Sequence, residues 1–98
     1  MKKEPIENAE IQEFMIFELL INPIEKILKQ LENKEFRDCD IKWLNGRIHT
    51  FITIAAETIG VNPPNGLELE NDHRVMNDYM IDWYHERFTK LLNYFKSI

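Results

Sequence analysis

The chain has one cysteine, Cys39, one serine, Ser97, three glycines and four prolines in 98 residues. A single cysteine excludes an internal disulfide, and so few helix breakers leave long stretches able to form uninterrupted helix. The longest apolar run, Phe14 to Ile21, is broken by Glu18 and stopped by Asn22-Pro23. It is far short of the ~18 residues a membrane span needs, and no stretch resembles a secretory h-region. These absences predict a soluble, cytoplasmic protein with no membrane insertion. Cations are also scarce, with 12 Lys and Arg against 17 Asp and Glu, giving a formal charge of −5 and a pI near 5.1. Nucleic-acid binding needs clustered Lys and Arg to displace counterions, so direct binding is disfavoured and a partner with a basic face is favoured. Solubility alone is the more ordinary account of mild acidity.

What is present is helical periodicity. Tyr84, Phe88, Leu91, Leu92 and Phe95 recur at helical spacing in a stretch from Val75 to Ile98 that contains no Gly or Pro, which predicts a last helix with one buried face, capped near Asn71 or Asp72. Ile24, Ile27, Leu28 and Leu31 repeat at i, i+3, i+4 and i+7. Before them, Asn22 suits an N-cap, Pro23 the first helical position and Glu25 a capping-box-like role, so Asn22-Pro23 reads as a restart within a kinked or split first helix. That helix is expected to begin near Ile6, with Glu4, Glu7, Glu10 and Glu13 placed favourably for its macrodipole. Its apolar residues Ile11, Phe14, Met15, Phe17, Leu20 and Ile21 are too many for one narrow stripe. The segment is therefore either central in a bundle or carries a second apolar face for a partner.

Asn33 to Asp38 reads as a turn, with Asp38 or Asp40 available to cap the next helix. Two patterns then compete. Asn45-Gly46 between β-branched residues is a type I′ hairpin signal, whereas Ile41, Leu44, Ile48, Phe51, Ile52, Ala55 and Ile59 fit one helical face. The helix is favoured because a strand pair would not sustain the pattern over so many residues. Gly60, Val61 and Pro63-Pro64 then give a left-handed C-terminal stop. No internal repeat or linker tract occurs. The sequence thus predicts one all-α domain over residues 1–98: a three-helix bundle whose bent or split first helix makes up to four helical pieces.

Chemistry-bearing motifs are few. Asp78, Asp82, His85 and Glu86 share one stripe of the last helix and could contribute to a divalent-metal site, but outside ligands are limited to His49 and Glu57. The competing reading is a solvated face with Asp82 and Arg87, or Glu86 and Lys90, paired across a turn. All-helical nucleotide pyrophosphohydrolases need a Glu-rich helix and a facing acid pair; Glu7, Glu10 and Glu13 instead crowd the helix start. The three histidines are widely spaced, Ser97 lies at a helix end, and Cys39 stands between Asp38 and Asp40, an acidic setting unlike the electropositive one of nucleophilic cysteines. The expectation is no catalysis, no cofactor and no bound metal. Lys42, Trp43 and Arg47 make the one basic-aromatic grouping able to stack on a ring.

Tyr79, Trp83 and Arg87 lie at i, i+4 and i+8, in the residue types that dominate binding hot spots, with Asp82 and Glu86 adjacent. These five are the candidate partner-binding residues; the competing and more ordinary reading is a second packing face against the first helix or a twofold-related copy. The leading functional expectation is a small acidic protein acting by protein-protein interaction, as an inhibitor, immunity or anti-defence factor, or adaptor. It would dock on a basic surface, including that of a nucleic-acid-binding protein, and a phage or mobile-element origin would be typical of such proteins. The alternatives are a metal-dependent hydrolase or metal-binding bundle, and a homo-oligomeric subunit or homodimer burying Phe14 to Ile21 between copies.

Overall fold

The structure, a computed structural model, describes residues 4–67 and 74–98, with side chains from Glu10 onward. It is a helical bundle with no strand among the described residues. Helix α1 (Glu4–Ile16) passes through a π-helical turn (Phe17–Ile21) into α2 (Asn22–Glu32). A 3₁₀ turn (Asp38–Asp40) leads to α3 (Ile41–Thr53), which ends in a second π-helical segment (Ile54–Ile59), and α4 (Asp78–Ser97) closes the bundle. The split first helix and the α-helical reading around Asn45-Gly46 are as the periodicity predicts; the hairpin does not form.

Each buried face follows from sequence spacing. Ile24, Ile27, Leu28 and Leu31 of α2, Ile41, Leu44, Ile48 and Phe51 of α3, and Met80, Tyr84, Phe88, Leu91, Leu92 and Phe95 of α4 form one core. Phe51 meets Phe88 edge-on at 6.3 Å between ring centroids. Tyr84 is fully buried, yet its hydroxyl donates to Asn45 Oδ1 at 2.6 Å and reaches the Ile41 carbonyl at 3.3 Å. A phenol can enter a core because its polar end finds such partners. Asn45 thus serves as an acceptor that ties α3 to α4.

Helix ends depart from expectation in three places. Asn22 is itself helical and its side chain caps nothing, while its N–H donates five residues back to the Phe17 carbonyl. α2 thus starts with Pro23 in its first turn, but directly behind the π turn and without a side-chain cap. A proline has no N–H for the carbonyl four residues earlier and its ring crowds that carbonyl, here Leu19; the wider π turn accommodates it without breaking the rod. Second, neither Asp38 nor Asp40 caps α3 from its side chain. Asp40 Oδ2 accepts from the Arg37 N–H at 2.7 Å, and Asp38 Oδ1 accepts from the Met76 N–H at 2.7 Å, pinning the approach to α4. Third, α4 starts at Asp78 behind Asn77, whose Oδ1 accepts from the Met80 N–H at 2.9 Å. Val75 is exposed ahead of the helix, and Asn71 and Asp72 lie outside the described residues.

The stop at Gly60 is as the sequence implies. Gly60 has φ 89°, and its N–H and that of Val61 both donate to the Ala55 carbonyl. The turn is one residue wider than usual because the last turn is π-helical. α2 ends with the same left-handed device but without glycine. Lys34 has φ 56°, Glu35 N–H donates to Gln30 O and Lys34 N–H to Leu31 O, the paired bonds of a Schellman motif.

The molecule is elongated. Its radius of gyration is 15.1 Å and its longest extent 56 Å, against about 13 Å for a compact domain of this size. The 29 residues from Glu4 to Glu32 make a rod of roughly 44 Å at 1.5 Å per residue. α2 lies against α4 inside the bundle, whereas α1 touches mainly the π-helical end of α3, where Gln12 Nε2 donates to the Ile59 carbonyl at 3.2 Å.

Candidate functional site

The apolar residues of the first helix divide between the core and the solvent. Leu20 is fully buried and Ile16 nearly so, but Ile11 is 55% exposed, Phe14 65% and Phe17 48%. Every residue from Glu10 to Phe14 is exposed among the described residues, and this part of α1 meets the bundle along its edge, at Gln12 and Ile59. Ile11, Phe14 and Phe17 follow one another at three-residue steps, giving an apolar stripe beside exposed Glu10, Glu13 and Glu18. No Lys, Arg or His occurs between Glu4 and Ile21. Monomeric proteins rarely leave large apolar side chains clustered in water, and such clusters mark interaction surfaces. Here the cluster carries charge of one sign at its border.

The five residues singled out on α4 fall into two groups. Trp83 and Arg87 are brought together: the guanidinium carbon sits 3.5 Å from the centre of the indole ring, and Arg87 Nη1 donates to the Trp83 carbonyl at 3.4 Å. Trp83 also packs edge-on against Tyr84 at 4.9 Å and is half-buried against the core. Arg87 Nε is buried without a hydrogen-bond partner among the described residues. A stacked, half-buried Trp-Arg pair is in large part a packing feature. Tyr79, Asp82 and Glu86 are exposed, and Glu86 pairs with Lys90 at 3.1 Å. The α4 stripe therefore presents carboxylates and Tyr79, with Trp83 mostly withdrawn behind Arg87.

Asp78, Asp82 and His85 line an open depression of about 450 Å³ with Leu31, Glu32, Lys34 and Ile81. Four of its polar side chains pair with one another. His85 Nε2 donates to Glu32 Oε2 at 2.9 Å, Thr89 Oγ1 approaches His85 Nδ1 at 3.4 Å, and Lys34 Nζ is 3.4 Å from Asp78 Oδ1. Among the described residues no three His, Cys, Asp or Glu side chains are grouped to hold a metal ion. Cys39 is exposed.

A second groove lies between α2 and α3. Pro23, Lys26, Ile27 and Gln30 form one wall, Trp43 and Arg47 the other, around about 240 Å³. Trp43 is 48% exposed and packs at 5.9 Å on Phe36. Arg47 lies over the Phe51 ring at 4.8 Å and near the Trp43 ring at 5.8 Å. Among the described residues the lining carries two cations and no carboxylate. Trp43 and Arg47 are visible in the sequence as a basic-aromatic pair; Lys26 joins them only through the packing of α2 on α3.

No protein-family profile, curated protein or solved structure matches the chain. No helix among the described residues is long and apolar enough to cross a membrane.

Proposed function

We propose that this protein acts by docking, without catalysis, through the outer face of α1. The partner it suits has an apolar groove rimmed by Lys and Arg, in the manner of an amphipathic helix received by a groove. The observation that supports this reading is the pairing of Ile11, Phe14 and Phe17, all about half exposed or more, with flanking Glu10, Glu13 and Glu18. Apolar anchors supply affinity, and the acidic border steers encounter with a basic rim and disfavours acidic surfaces. An inhibitor, an immunity or anti-defence factor, or an adaptor works in this way, and carboxylates placed where phosphates would sit make a nucleic-acid-binding protein a fitting target. The exposed acids Asp82 and Glu86 with Tyr79 on α4 are a second, weaker candidate surface, because Trp83 is already engaged by Arg87.

The test is affinity capture from a lysate of the source organism, comparing wild type with Phe14→Ser/Phe17→Ser and with Trp83→Ala, at low and high salt. The proposal expects a partner held by wild type and Trp83→Ala, lost from the α1 variant and weakened by salt. Loss confined to Trp83→Ala would move the docking face to α4, and capture insensitive to both variants would refute either assignment.

A further inference from the structure

The α2–α3 groove has the chemistry that the α1 stripe calls for. Its apolar lining, Pro23, Ile27 and Trp43, is bordered by Lys26 and Arg47, while the charged residues beside the apolar stripe on α1 are, among the described residues, glutamates. In a chain of net charge −5, that groove is a cationic exception. At about 240 Å³ it is smaller than the roughly 300–1,000 Å³ typical of pockets that enclose small ligands, and it suits a few inserted side chains better than a separate molecule. We propose that the α1 stripe of one copy occupies the α2–α3 groove of a second copy, so that the chain forms a reciprocal, two-fold dimer. This rests on the reading of α1 as a docking helix and names its first partner.

The contact cannot form within one molecule. α1 and α2 are successive parts of one rod, and Phe14 lies about 18 Å along it from Lys26, at 1.5 Å for each of the intervening residues. A stripe fixed at that distance reaches only another copy's groove. Laying a second rod antiparallel to the first sets each α1 beside the other chain's α2, which satisfies both stripes and both grooves at once. Such an exchange is isologous and closes at two chains, whereas a one-way contact would leave a free groove and a free stripe and propagate. Glu10 and Glu13 of each copy would then face Lys26 and Arg47 of the other. Like charges set against like in a parallel arrangement would disfavour it.

A charge exchange tests the proposal by sedimentation velocity across the micromolar range. Wild type is expected to shift with concentration from the 11.8 kDa monomer toward twice that mass. Lys26→Glu/Arg47→Glu places acid in the groove and Glu10→Lys/Glu13→Lys places base on the stripe, so each variant alone is expected to remain monomeric. Their equimolar mixture restores both contacts and is expected to regain the dimer, which also shows that each variant is folded. Because Arg47 packs over Phe51, Lys26→Glu alone, at an exposed side chain, serves as the milder groove variant, with dimerisation weakened at least about tenfold. Wild type monomeric throughout, or a mixture that stays monomeric while wild type dimerises, would overturn the proposal. In the first case, a partner captured through Phe14 and Phe17 would leave α1 docking standing and remove only the self-pairing.

Discussion

Alanine at Phe88 and alanine at Phe14 separate phenylalanines used in folding from phenylalanines held in water. Phe88 is fully buried on α4, edge-on to Phe51 at 6.3 Å and tilted on Tyr84 at 6.5 Å. Truncating such a ring removes its transfer free energy and leaves a cavity, together about 3–5 kcal/mol. That is a large share of the roughly 5–15 kcal/mol that stabilises a domain of this size, and it corresponds to a Tm lower by about 15–25 °C. Phe14 is 65% exposed, and Glu10, Ile11, Phe17 and Glu18 on the same helix face are exposed too. Its loss is expected to change stability by no more than about 0.5 kcal/mol, the range for surface substitutions. Urea denaturation followed by circular dichroism measures both, at a protein concentration low enough to hold the chain monomeric. A Phe14→Ala cost above about 1.5 kcal/mol would mean the outer face of α1 is covered within the folded chain, and the docking argument would fail. A Phe88→Ala cost below about 1 kcal/mol would refute the packing of α4.

Two of the left-handed positions, Lys34 and Gly60, give substitutions of opposite sign. Lys34→Gly relieves a side chain held at φ 56° and is expected to raise stability by about 0.5–1 kcal/mol, with the exposed Lys34–Asp78 pair contributing little in return. Gly60→Ala meets open space but forces an L-residue to φ 89°, and is expected to cost about 1–2 kcal/mol. Asn77→Ala removes the bond to the Met80 N–H and is expected to cost about 1 kcal/mol. Tyr84→Phe keeps the ring but deletes the donor to Asn45 Oδ1, for about 1 kcal/mol. Equilibrium unfolding checks all four, and a destabilising Lys34→Gly would contradict the assigned cap.

The helices whose burial is one-sided were legible from spacing alone. Ile24 to Leu31 and Tyr84 to Phe95 repeat every three or four residues with charge between them, and each pattern names its own inward face. At Asn45-Gly46 a local turn preference competes with seven apolar residues at helical spacing, and burial of Ile41, Leu44, Ile48, Phe51 and Ala55 outweighs it. The π turn before Pro23 was not legible, because a proline signals that an ordinary helix cannot pass but not how the backbone will yield. The role of α1 was half legible. Eight apolar residues in the eleven from Ile11 to Ile21 exceed one face, yet only tertiary structure shows that Leu20 goes inward while Phe14 and Phe17 do not. The spacing of Trp83 and Arg87 predicts their proximity and says nothing of the stacking that withdraws the indole. Lys26 and Trp43 stand 17 positions apart, so their shared groove has no local signal.

The most direct test of α1 docking is photo-crosslinking in the living source cell, with benzoylphenylalanine in place of Phe14 and, separately, in place of Asp82. The account predicts covalent adducts from position 14, heavier than the 11.8 kDa chain, that diminish when Glu10 and Glu13 are changed to Lys. Adducts from position 82 with none from position 14 would contradict it and place the working surface on α4.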